Sequence, residues 1–139
     1  MNPQRRKFLI YQFPFILWAV IILTVSSIPQ FAEVTPGWKN FDKVIHIIEY
    51  GIFGFLLTRA LYFQDKNSIR KFAVILSILI GGAFAGLDEI HQRYIPGRFE
   101  SLGDFAADLS GILLAQILFI YIFLRSKINK KSDFYQKLF

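Results

Sequence analysis

The sequence predicts an all-α fold, a four-transmembrane-helix bundle with both termini cytoplasmic, and three observations carry that expectation. The 139 residues are 54% hydrophobic and 17% aromatic, well above a soluble average, and the excess is gathered into blocks. Four blocks, residues 8–28, 44–63, 72–90 and 105–124, approach the roughly 20 apolar residues that cross a hydrocarbon core of about 30 Å. The basic residues are also sorted. Arg5, Arg6, Lys7, Arg59, Lys66, Arg70, Lys71, Arg125, Lys127, Lys130, Lys131 and Lys137 fall on one side of a four-span arrangement, leaving only Lys39, Lys43, Arg93 and Arg98 for the other. By the positive-inside rule the first side, with both termini, is cytoplasmic. A soluble bundle would need a polar stripe on every helix, and residues 72–86 and 105–124 have none.

This length leaves room for one domain, 1–139, in which residues 125–139 form a basic cytoplasmic tail. The absence of cysteine excludes disulfides and thiolate metal sites. The net charge of +6 reads as membrane topology, so no nucleic-acid partner is expected.

The first span has the basic start, apolar run and small residues, Ser26 and Ser27, of a signal peptide. Its apolar run exceeds the usual signal core of about 7–15 residues, which favours a retained helix. Pro14 is expected to kink it, and Trp18 to serve packing. In the loop that follows, Phe31, Trp38 and Phe41 suit an interfacial aromatic belt.

The second span opens with Asp42, His46, Glu49 and Tyr50 at three- and four-residue spacing, one stripe on one helix face. At 1.5 Å per residue Glu49 lies about 10 Å deeper than Asp42. Asn40 and Asp42 also suit the capping of a helix start, and His46 suits a satisfied interior histidine, but neither role explains Glu49. A short turn, residues 64–68, carries no site chemistry and leads to the third span. There Gly81, Gly82, Ala83, Ala85 and Gly86 allow close helix contact and deliver Asp88, Glu89 and Gln92 to its end.

Pro96-Gly97 marks a turn and Arg98 follows it. Ser101 to Asp104 fits the S-x-x-D capping pattern, so the fourth helix is expected to start there. Asp104 and Asp108 lie one turn apart, where like charges repel unless neutralised, and Gly111 continues near that side. In the tail, basic residues mixed with Ile128, Phe134, Tyr135, Leu138 and Phe139 suit contact with anionic lipid.

In a four-span chain the second helix starts, the third ends and the fourth starts at the same membrane face. Topology alone therefore gathers the polar residues of three separate stretches at the extracytoplasmic side. His46, Glu49, Asp88, Glu89 and Asp104 are the candidates for catalysis. Asp42, Lys43, Tyr50, Gln92, Arg98, Ser101 and Asp108 are the candidates for ligand binding.

Asp42-Lys43 with His46 and Tyr50, Asp88-Glu89 with Gln92, Pro96 and Arg98 with Ser101 and Asp104, and Asp108 with Gly111 together resemble the VanZ-like family of small bacterial membrane proteins. The resemblance covers about residues 42–115. It implies a multi-pass protein of the bacterial cell (cytoplasmic) membrane, with membrane lipids as partners. It also implies an association with resistance to the glycopeptide antibiotic teicoplanin, and no established reaction. The family often carries Asn where this chain has Asp108, and His91 lies between the motif positions.

Two functions compete. In the first, the acidic cleft binds a cell-envelope lipid precursor or a glycopeptide-related ligand, with Arg98 and Lys43 facing phosphate or carboxylate. In the second, the protein is an enzyme on an envelope lipid or cell-wall precursor, with His46 as acid or base and the carboxylates holding a water or a divalent cation. Oxygen and imidazole donors suit magnesium, manganese or zinc, although no H-E-x-x-H spacing is present. The bland alternative is a structural ion network that fixes helix register. No repeated half or paired broken helix points to a transporter.

Overall fold

The computed structural model describes residues 1–29 and 41–136. The expected aromatic belt of Phe31 and Trp38, the Asn40 cap and the side chains of the basic tail lie outside the described residues. Five helices follow in order: α1 (Pro3–Ser26), α2 (Phe41–Tyr62), the short α3 (Asn67–Lys71), α4 (Ala73–Gln92) and α5 (Leu102–Gln136). The helices α1, α2 and α4 and the first part of α5, Leu102–Phe123, are each long and apolar enough to cross a membrane. Their flanks expose Leu79, Leu87 and Ile117 by about two thirds of each residue. Apolar surface on that scale is compatible with lipid and not with water, and the chain is a multi-pass membrane protein. Helix α5 runs on to Gln136 because no glycine or proline follows Gly111 to stop it.

The tightest seam joins α2 to α5. Ala107, Gly111 and Ala115 recur every four residues on α5, all buried, and Gly111 and Ala115 meet Gly51 and Gly54 of α2. A Cβ on Gly111 would lie 2.3 Å from the Ile47 carbonyl oxygen, so only glycine permits this backbone approach. Helix α4 joins through one buried stripe, Ser77, Gly81, Ala85, Asp88 and Gln92: small residues at depth and polar ones at the end. Where α4 crosses α5, the side chain of Ile112 occupies the space a Cβ on Gly81 would need. Phe53 and Phe84 stack at 4.6 Å in a core completed by Ile22, Tyr50, Leu57, Ala85 and Ile112.

Helix α1 is held by a single stripe, Phe15, Trp18, Ala19 and Ile22, and most of its surface is free for lipid. Trp18 packs against the core as expected, and its indole N–H also donates to the Glu49 carbonyl at 3.0 Å. Pro14 does not break the helix. A π turn over Phe8–Gln12 precedes it, with the Phe13 N–H reaching back five residues to Phe8. The wider turn relieves the clash a proline ring makes with the preceding carbonyls.

Away from the candidate site, Lys7 pairs with Asp65, Arg59 lies over the Tyr11 ring, and Tyr11 stacks on Phe63. Deep between α2, α4 and α5, buried Thr58 donates to Gln116 Oε1 at 2.7 Å, and the Gln116 amide donates to Ser77 at 3.3 Å. Ser77 in turn donates to the Gly54 carbonyl at 3.2 Å. Three isolated polar residues in apolar windows thus close one hydrogen-bonded clasp, the use polar side chains find between helices in lipid.

Candidate functional site

The start of α2, the end of α4 and the start of α5 meet at one end of the bundle, as the four-span topology requires. The side chains they bring form three linked clusters.

Asp88 is the centre of the first. Its carboxylate is 3% exposed and accepts from the Ser26 hydroxyl at 2.6 Å, the Tyr50 hydroxyl at 3.0 Å and the Gln92 amide at 3.3 Å. Three neutral donors disperse the charge of a buried carboxylate that no cation touches among the described residues. Tyr50 and Gln92 were foreseen, whereas Ser26 was not. The sequence shows it only as a small residue at the end of an apolar run. The topology that gathers the other ends also brings the end of α1 here, and that was the signal to use.

The second cluster is His46 against Asp108. Nδ1 of His46 lies 2.8 Å from Oδ1 of Asp108, with the imidazole 16% and the carboxylate 1% exposed. With the carboxylate accepting, Nδ1 carries the proton, and in the neutral imidazole Nε2 keeps its lone pair. The second oxygen of Asp108 is buried and has no partner among the described residues.

The third cluster is built on the start of α5. Ser101 caps the helix as the S-x-x-D pattern predicts, its hydroxyl accepting from the Asp104 N–H at 3.3 Å. In a capping box the third residue would return the bond to the Ser101 N–H. Here Glu89 of α4 takes that donor at 2.7 Å, and Asp104 instead pairs with Lys43, which also holds Asp42 at 3.0 Å. The cap therefore ties three helices together. Glu89 is 7% exposed, and its other oxygen has no partner among the described residues.

Arg98 does not face an open anion site with its full fork. Its guanidinium donates from Nη2 to the Val25 carbonyl at 2.9 Å and from Nε to the Ile28 carbonyl at 3.1 Å. These oxygens lie at the end of α1, where carbonyls lack intrahelical partners and carry the negative end of the helix dipole. The residue is a latch between α1 and the segment that turns at Gly97, whose φ of 76° suits glycine. His91 reaches Ser27 at 2.9 Å and strengthens the same junction. The Glu49 side chain is half-buried and makes no hydrogen bond or ion pair among the described residues, although His46, Asp88, Asp108 and Arg98 lie within electrostatic reach.

A recess of about 470 Å³ opens between α1, α2 and the segment before α5, with His46, Gln92, Arg98 and Asp104 in its wall. A second, of about 520 Å³, lies between α4 and α5 and exposes Glu89 and Ser101. Between them one ligating atom each of His46, Glu89 and Asp108 falls within 4.8 Å of the others. Of the groups predicted from sequence, only Glu49 makes no contact that joins it to this assembly. A separate apolar groove of about 410 Å³ along Gly51 and Gly111 has no titratable group in its wall.

No solved structure matches the chain. An uncharacterized protein of Schizosaccharomyces pombe is 36% identical over 100 residues, 71% of this chain. The chain spans 58% of that relative's length. The VanZ/LLP1 family matches residues 3–125, which include all four apolar helices and every member of the three clusters, and the chain belongs to that family.

Proposed function

We propose that the protein binds the polar headgroup of an envelope lipid or lipid-linked precursor in the recess beside His46. One observation carries this reading. The recess sets His46, Gln92, Arg98 and Asp104 among apolar side chains, lies at the end of an apolar bundle, and opens where headgroups meet a membrane-spanning helix. Phe99 in its wall is 84% exposed and Leu102 of the second recess 88%, which suits insertion into the interfacial layer.

The charge of the site narrows the ligand. Asp42, Glu49, Asp88, Glu89, Asp104 and Asp108 outweigh Lys43, His46 and Arg98, and both Lys43 and Arg98 are engaged inside the protein. A headgroup rich in hydroxyl or amine donors, such as a sugar, complements these acceptors better than a bare anion. The distribution of basic residues supports an extracytoplasmic site. In a bacterial host, teicoplanin-type protection is an outcome that binding of an envelope precursor would produce. The fission-yeast relative favours a ligand class that is not confined to bacteria.

A second reading, an acid–base enzyme on the same lipid, draws on the His46–Asp108 pair, which leaves Nε2 open to take a proton. One experiment separates the two. Protein is isolated from membranes with wild-type, His46→Ala or Glu89→Ala sequence, and copurifying lipids and total envelope lipids are profiled together with glycopeptide susceptibility. A binder enriches one lipid class that both variants lose, while the total profile stays constant. An altered lipid product that depends on His46 favours the enzyme. If wild type and variants carry the same lipids and give the same profile, both readings fail.

A further inference from the structure

Among the described residues, two buried side-chain polar atoms lack a hydrogen-bond partner: Glu89 Oε1 and Asp108 Oδ2. They come from different helices, α4 and α5, yet both belong to the one trio among the described residues whose ligating atoms lie within 4.8 Å. Each carboxylate is oriented through its other oxygen. The Ser101 N–H holds Glu89 Oε2 at 2.7 Å, and His46 holds Asp108 Oδ1 at 2.8 Å. The Ser101 N–H lies outside the trio, and fixing one oxygen of Glu89 while leaving the other bare is how an outer partner aims a carboxylate at a metal.

Leaving such an atom bare is costly, the more so for a charged group. No Lys or Arg forms an ion pair with Glu89 or Asp108 among the described residues. A bound water would satisfy the lone pairs but not the charge. A dication satisfies both.

We propose that His46, Glu89 and Asp108 form a divalent-cation site. One imidazole with two carboxylates is a donor set for manganese or zinc rather than for a thiophilic ion. Ligand atoms about 2.0–2.2 Å from a metal lie roughly 3.0–3.6 Å apart. The trio therefore closes on an ion through side-chain shifts of about an ångström. Three protein ligands leave coordination positions open, as in sites where a metal meets water or substrate. The two flanking recesses supply access, one through His46 and one through Glu89. The ion would replace the direct His46–Asp108 bond with a shared one. The proposal stands apart from the headgroup reading, because it rests on the bare oxygens and not on the recess.

The test uses the full chain purified in detergent, stripped with chelator and desalted. Manganese or zinc is titrated by calorimetry, and retained metal is measured by elemental mass spectrometry. Wild type is expected to bind one equivalent per chain. Glu89→Gln and Asp108→Asn are each expected to weaken the affinity tenfold or more, while Asp65→Asn, exposed and away from the site, leaves it unchanged. Circular dichroism and monodisperse elution report folding. His46→Gln provides a third ligand variant should either carboxylate variant fail to fold. No saturable binding up to millimolar metal, or equal binding by wild type and the folded ligand variants, overturns the site. Lipid capture by the metal-free protein would leave the headgroup reading intact in that event, so the two fail separately.

Discussion

Replacing Gly111 with alanine tests whether the fold and the candidate site are one mechanical unit. The new Cβ would lie 2.3 Å from the Ile47 carbonyl oxygen, 2.9 Å from the Gly51 nitrogen and 3.0 Å from the Ile47 carbonyl carbon. All three are backbone atoms, so no rotamer change relieves the clash. Restoring van der Waals separation requires α2 and α5 to part by about 1 Å. His46 directly precedes Ile47, and Asp108 lies three residues before Gly111 on the same side of the seam. Their 2.8 Å contact would open to about 3.8 Å, beyond hydrogen-bonding range. Overpacking costs about 1–3 kcal/mol and loss of a hydrogen bond to a charged group a further 1.5–3 kcal/mol. The expected sum is roughly 2.5–6 kcal/mol, read as a lower thermal midpoint in detergent together with loss of His46-dependent ligand capture. Gly82→Ala is the control, because its Cβ would meet only the flexible end of Leu109 at 3.3 Å. An unchanged midpoint and unchanged capture in Gly111→Ala would refute the reasoning, since the seam would then tolerate a methyl group where backbone already stands.

Tyr50→Phe removes one of three donors to buried Asp88 and is expected to cost about 1–3 kcal/mol, measured by thermal unfolding; a midpoint equal to wild type would show that Ser26 and Gln92 suffice. Arg98→Lys exchanges a planar fork for a point charge and cannot span the Val25 and Ile28 carbonyls together. Faster amide exchange is expected in the last turns of α1, with α2 and α5 unaffected, and uniform protection would argue against a latch. Thr58→Val leaves Gln116 Oε1 without its donor and should destabilise by about 1 kcal/mol, whereas Thr58→Ser should be near neutral. Equal midpoints for the two would mean that the clasp contributes nothing.

The sequence by itself determined the number of apolar helices and which polar residues share an end of the bundle. Both follow from local facts. A span announces itself by its length, and two crossings between Asp42 and Asp88, with none between Asp88 and Asp104, leave those residues on one side. The Ser101 cap was legible for the same reason, since a cap and the helix it starts lie within four residues. Only the tertiary structure decided who pairs with whom. The sequence suggested that Arg98 and Lys43 were available to a ligand, but packing turned Arg98 onto the end of α1 and Lys43 onto Asp104. Glu89 took the backbone donor that a local capping box would have given to Asp104. Ser26 became part of the site, and Thr58, Ser77 and Gln116 became a clasp, although each looks unremarkable in its own window. Such partners come from helices separated by 19 to 62 residues, and a fraction of a helical turn decides which of them meet. That rotation is set where Gly111 lets two backbones touch, and no stretch of sequence read alone contains both sides of the contact.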